Sequence, residues 1–106
     1  MQYRFARVFE AISLELNSSR AVVIGALSVL VCNADGEFFA VENVCSHQAN
    51  PLEGGRIRRC TLSCPLHGMP FDLRTGEPRG QLTNKPLRTF PVRVVDGVVE
   101  VGLPPG

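Results

Sequence analysis

Apolar residues along this chain alternate with polar ones in short β-branched runs, and turn residues separate the runs. That two-residue period is the mark of half-buried strands. Residues 3–9 predict an opening strand, residues 20–24 a second and residues 27–32 a third. Asn33-Ala34-Asp35-Gly36 reads as a turn, after which residues 37–41 pair back as a hairpin. Residues 87–95 and 98–101 flank Asp96-Gly97, the strongest hairpin signal in the chain. Pro91 carries no N–H, which places the first of those strands at a sheet edge. The longest apolar run, residues 21–32, is twelve residues long. A bilayer span needs about twenty, so this run is core strand material. The one helical candidate covers residues 8–16, and no segment sustains an apolar stripe at helical spacing. The expected fold class is all-β, in small antiparallel sheets.

At 106 residues the chain fits one domain, and no repeat, linker or low-complexity tract divides it. A single domain over residues 1–106 is expected. Hydrophobic residues at 44% and charged ones at 20% exclude a disordered or fibrous chain. A net charge of +1 argues against nucleic-acid binding, which needs a strongly basic face. The opening MQYRFARVFEAI has an early acid and no apolar stretch before a cleavage site. Neither export nor a membrane partner is expected, and the expected location is the cytoplasm. There, four cysteines point to metal or thiol chemistry more than to disulfides.

Both histidines of the chain stand close behind cysteines: Cys45-Ser46-His47 and, sixteen residues on, Cys64-Pro65-Leu66-His67. Thiolate and neutral imidazole are metal ligands, and two of each make a set of four. The strand pattern puts both clusters in loops, after residues 37–41 and around residues 63–71, where binding chemistry concentrates. Three readings compete. The plain one is buried thiols and satisfied histidines. A second is a structural zinc site, although zinc fingers usually pair cysteine with cysteine and histidine with histidine along the chain. The third is a two-iron, two-sulfide cluster with thiolates on one iron and imidazoles on the other.

The spacing Cys-x-His, sixteen residues, Cys-x-x-His, with Gly68 after the last histidine, resembles the Rieske family motif. The likeness runs from about Leu30 through Val101. It takes in residues 39–44, Leu52, Phe71-Asp72-Leu73-Arg74-Thr75-Gly76 and residues 91–97. The resemblance implies a Rieske-type fold of small antiparallel sheets, with two ligand loops (about residues 43–72) at one tip. It implies one [2Fe-2S] cluster per chain, with Cys45 and Cys64 on the inner iron and His47 and His67 on the outer iron near the surface. Such a cluster is a one-electron carrier, and its imidazoles raise the potential above that of all-thiolate clusters by removing negative charge.

Respiratory members of the family carry an inter-loop disulfide at the positions of Asn50 and Leu66, so this chain lacks that bridge. They also place hydroxyl residues where this chain has Met69 and Phe71. Fewer hydrogen bonds to sulfur lower the potential, toward roughly −150 mV. With both histidines assigned to the cluster, none remains for the mononuclear iron of an oxygenase. The chain therefore resembles the Rieske-type ferredoxin of bacterial multicomponent aromatic-ring-hydroxylating dioxygenases. The partners this implies are a flavin-dependent NAD(P)H ferredoxin reductase and a terminal oxygenase, and the chain itself is not an enzyme. The alternative is a small Rieske-like subunit of a larger reductase, such as an assimilatory nitrite reductase. His47 and His67 mark the expected route of electron entry and exit, and a more negative, reduced cluster would make their second nitrogens more basic. Cys32 and Cys60 fall outside the ligand pattern and read as small buried hydrophobes. Arg56, Arg58 and Arg59 read either as a solvated turn or as a docking edge for an acidic partner. Gly54-Gly55 reads as a turn.

Overall fold

The long apolar run owes its lack of polar alternation to burial on two faces. In the computed structural model, which describes residues 3–45, 50–65, 68–80 and 85–104, strand β3 (Leu27–Ala34) is buried from Val29 onward. Its even-numbered side chains Leu30, Cys32 and Ala34 pack into one core. Its odd-numbered Val29 and Val31 pack into another. A strand's alternate side chains point to opposite faces, so β3 lies in a middle layer with a core on each side.

That middle sheet has the order β2 (Ser18–Ile24), β3, β4 (Glu37–Glu42), β8 (Thr89–Phe90). One face is covered by a sheet of β1 (Arg4–Glu10), β10 (Val98–Leu103) and β9 (Val92–Val95), in the order β1-β10-β9. Val99 and Val101 supply its contribution to the second core. The other face meets a smaller sheet of β5 (Arg56–Arg58), β6 (Thr61–Ser63) and β7 (Pro70–Asp72), which contributes Ile57, Leu62 and Phe71. Every pairing between these strands is antiparallel, as the all-β expectation required.

The strands agree with the sequence pattern to within a few residues, and the departures have local causes. The turn expected over residues 33–36 narrows to Asp35 and Gly36, both at positive φ. Asn33 stays in the strand, its Nδ2 donating to the Leu14 carbonyl and its Oδ1 accepting from the Gly36 N–H. The helical candidate at residues 8–16 is not a helix. β1 runs to Glu10 and a single 3-10 turn, Ala11–Ser13, follows. A register shift between Arg7 and Phe9 inserts Val8 as an extra residue. Val8 and Phe9 therefore both meet the second core, which imitates helical spacing. The strand expected over residues 87–95 divides at Pro91. Thr89 and Phe90 pair with β4, while Val92–Val95 pairs with β10. Both segments lie at sheet edges, as proline requires.

The sheet β5-β6-β7 has no counterpart in the sequence pattern, which predicts loops around residues 63–71 and between the two ligand pairs. Its strands are three residues each, too short to show alternation. Its hairpin turn, Arg59-Cys60, has positive φ at both residues without a glycine, so the usual signal of such a turn is absent.

Candidate metal centre

Each sequence-nominated cysteine opens a loop at the end of a strand. Cys45 comes three residues after the end of β4, and Cys64 immediately follows β6. The two loops close in the same way. The Cys45 N–H donates to the Asn50 carbonyl at 2.8 Å, and the Cys64 N–H donates to the Met69 carbonyl at 2.8 Å. Both bonds span five residues, and a proline and a large apolar side chain follow each: Pro51-Leu52 and Pro70-Phe71. Leu52 and Phe71 are fully buried, and the two cysteines are 2% exposed. All four belong to one core. The fold thus brings Cys45 and Cys64 from separate, similarly closed loops into a common interior.

His47 and His67 lie outside the described residues, as does Leu66. Asn50, the other position where respiratory members have the bridging cysteine, is half-buried.

Two features fix the far end of the first loop. Asn43, buried just before Cys45, accepts the Leu52 N–H at 2.8 Å and the Glu53 N–H at 3.1 Å on its Oδ1. Its Nδ2 donates to Ser28 Oγ at 3.2 Å. One side chain therefore ties the far end of the first loop to β3. The second feature is Gly55, where a Cβ would lie 2.3 Å from the Ser63 carbonyl oxygen. Only glycine lets the first loop's end press against the residue before Cys64. The sequence offers no clear signal for Asn43 beyond a polar residue at a strand end. Gly54-Gly55 reads correctly as a turn, with Gly54 at φ 89°, but the close approach at Gly55 depends on a tertiary contact.

The remaining nominated residues divide by environment. Cys32 is fully buried in the same core, and burial pushes its thiol up to about 12. It stays protonated at neutral pH and is a poor ligand. Cys60 is half-buried in the β5–β6 turn. All four cysteines are free of disulfides. Met69 and Phe71 are buried against the thiol core and offer no hydroxyl. Arg56, Arg58 and Arg59 are exposed, on and beside a strand rather than in the open loop the sequence implied. Cys64 lines an open cavity of about 450 Å³ with Gly54, Arg56, Ser63, Pro65 and Gly68. Asp72, on β7, accepts from Arg79 and from the Arg74 N–H. The Arg79 side chain first, then the Arg74 amide, hold its carboxyl below the ordinary value of 3.8. No helix among the described residues is long and apolar enough to cross a membrane.

Two buried thiols from paired loops are a donor set that suits an iron–sulfur cluster, and comparison with known proteins agrees. A family model described as the Rieske [2Fe-2S] domain matches residues 5–91. The chain belongs to the Rieske family. Its cofactor is accordingly a Rieske-type [2Fe-2S] cluster. The match begins in β1, well before the residues that carry the likeness in the sequence, and ends before β9. The chain is 37% identical over 83 residues to the anthranilate 1,2-dioxygenase ferredoxin subunit of Burkholderia cepacia, covering 78% of this chain and 77% of the relative. Among solved structures it resembles a chain in the complex of reduced oxygenase and oxidized ferredoxin in carbazole 1,9a-dioxygenase. The TM-score is 0.86, with 30% identity and 92% of each chain covered. It also resembles a putative NADH-dependent nitrite reductase small subunit from Mycobacterium tuberculosis, at TM-score 0.89, 17% identity and 98% coverage of each chain. At that identity the last likeness concerns the fold alone.

Proposed function

We propose that this Rieske protein is the ferredoxin of an aromatic-ring-hydroxylating dioxygenase system. It carries single electrons from an NAD(P)H-dependent flavoprotein reductase to a terminal oxygenase, in the cytoplasm, and is not itself an enzyme. Its cluster is held by Cys45, His47, Cys64 and His67, in ligand loops over about residues 43–72 of a single domain. The observation that carries the reading is the convergence of Cys45 and Cys64, from two similarly closed loops, on one buried core.

When bound, a [2Fe-2S] cluster supplies a one-electron redox centre. The chain's own residues decide its reach and its potential. Cys45 and Cys64 keep their sulfurs in the protein interior, where added negative charge is poorly solvated. His47 and His67 contribute no charge as neutral ligands, so one added electron leaves less negative charge than an all-thiolate set would. Met69 and Phe71 give no hydroxyl hydrogen bond to sulfur, which favours the lower part of the Rieske range. The backbone bonds from Cys45 to Asn50 and from Cys64 to Met69 tie the two ends of each loop together.

The test is functional reconstitution. Iron-loaded protein is placed as a free component between a dioxygenase ferredoxin reductase with NADH and a Rieske oxygenase. The expected result is reduction by one electron per chain and passage of that electron to the oxygenase. Failure to accept electrons as a free protein, together with stable co-elution with a larger reductase, would contradict the assignment.

A further inference from the structure

Several arginines of the described chain are committed to partners. Arg79 pairs with Asp72. Arg93 pairs with Glu100 and lies 3.9 Å from the Phe5 ring centroid. Arg20 bonds to Ser13 and stacks on Phe9, and Arg88 stacks on Phe90. Arg56 and Arg58 are different. Both are exposed, and neither side chain makes an ion pair, hydrogen bond or ring contact among the described residues.

They share one face of β5, two residues apart, while Ile57 between them turns into the core. The register sets Arg56 opposite Ser63, the residue before Cys64. Arg56 also lines the same open cavity as Cys64. Arg59 extends the positive strip into the turn, and Glu53 is the only carboxylate in residues 53–59. Asp72, farther across the same sheet, is already paired with Arg79. Pro65, next to Cys64, is exposed and lines the same cavity as Arg56, which adds an apolar component. Apolar centre and charged rim is the usual composition of an interface.

We propose that the Arg56–Arg58 face is the docking surface for an acidic patch on a protein that exchanges electrons with this chain. The inference rests on the electron-carrier reading. Unpaired cations at the rim act on encounter rate and orientation more than on affinity, which suits a carrier that must also let go. Positive potential there draws an acidic surface toward the side where Cys64 lines the open cavity.

The test uses two one-electron oxidants of opposite charge as probes, ferricyanide and tris(phenanthroline)cobalt(III). Each takes one electron from the reduced holoprotein and is itself reduced to the divalent-metal complex. In stopped flow, the wild-type rate with ferricyanide is expected to fall as salt rises, and the rate with the cobalt complex to rise. R56E/R58E is expected to shift the ratio of the two rates about tenfold or more toward the cobalt complex at low salt. R4E, at another exposed arginine, on β1, whose side chain has no partner among the described residues, is the control and should shift it little. R56Q/R58Q repeats the test without reversed charge should the first variant fold poorly. Electron paramagnetic resonance of each reduced variant verifies the cluster. Intact signals with rates blind to charge at Arg56 and Arg58, or equally sensitive at Arg4, overturn the docking surface and leave the carrier reading standing. No signal in iron-loaded wild type overturns the carrier reading and the docking surface with it.

Discussion

The two three-stranded sheets that cover opposite faces of the central sheet are built on different principles. The sheet β1-β10-β9 has strands of seven, six and four residues. Val99 and Val101 anchor it in a core of hydrocarbon side chains. The sheet β5-β6-β7 has strands of three residues and shares its core with the thiols of Cys45 and Cys64. Strands so short are marginal by themselves. They are held by Phe71 and Leu62 beneath, by Asn43 and Gly55 at the first loop, and by Asp72 and Arg79 at the last strand. The first sheet supports itself by burial; the second frames the proposed metal site, and on that proposal its stability depends on what the site holds. The contrast teaches that short strands around a ligand can be stable without being recognisable.

The largest effect that would break or sharpen this contrast comes from the cluster. C64S removes one proposed ligand, and complete loss of visible absorbance and of the reduced-state resonance signal is expected. Hydrogen exchange should then show the amides of β5, β6 and β7 exchanging freely while those of β1 and β10 keep most of their protection. Equal loss in both sheets would erase the distinction. Next in size is the packing beneath the small sheet. F71A is expected to cost about 3–5 kcal/mol in denaturant unfolding of the holoprotein, more than V101A in the other core at about 1.5–3 kcal/mol.

Asn43 is a smaller lever. N43A leaves two loop amides without their acceptor and is expected to cost about 1–3 kcal/mol. It should also shorten the half-life of the cluster under a chelator. N43D keeps the acceptor and should recover most of both losses; a shortfall equal to that of N43A would mean that the loop amides do not matter.

The smallest effect is acid sensitivity. Asp72 has its carboxyl held below the ordinary 3.8 by Arg79 and the Arg74 amide. A lowered folded-state value means stability that is present above the unfolded value and is lost as pH falls through the folded one. D72N is expected to flatten the decline in stability below about pH 4, read by denaturant midpoints at successive pH. An unchanged acid limb would remove Asp72 from the supports of the small sheet.

Much of this was legible beforehand, and unevenly. Alternation in residues 3–9 and 98–101, and the Asp35-Gly36 and Asp96-Gly97 turns, marked the larger sheets because long strands repeat their pattern. The spacing of Cys45, His47, Cys64 and His67 nominates a site from sequence alone, and the fold brings its two cysteines into one core. The small sheet escaped because three residues cannot display a period, and because Arg59-Cys60 makes a left-handed turn without glycine. Asn43 and the tight approach at Gly55 escaped because each acts on a residue distant in sequence. Pro91 was read correctly as an edge residue, but the change of sheet it marks needed the pairing of Phe90 with Ala40 and of Val92 with Val101.

The central claim is that both loops ligate one diiron centre through sulfur and nitrogen together. Pulsed electron paramagnetic resonance of the reduced, iron-loaded protein tests it directly. The account expects strong hyperfine coupling from two imidazole nitrogens on a single paramagnetic centre. A paramagnetic centre with no directly bound nitrogen, or a protein that binds zinc and stays silent after iron loading and reduction, would contradict it.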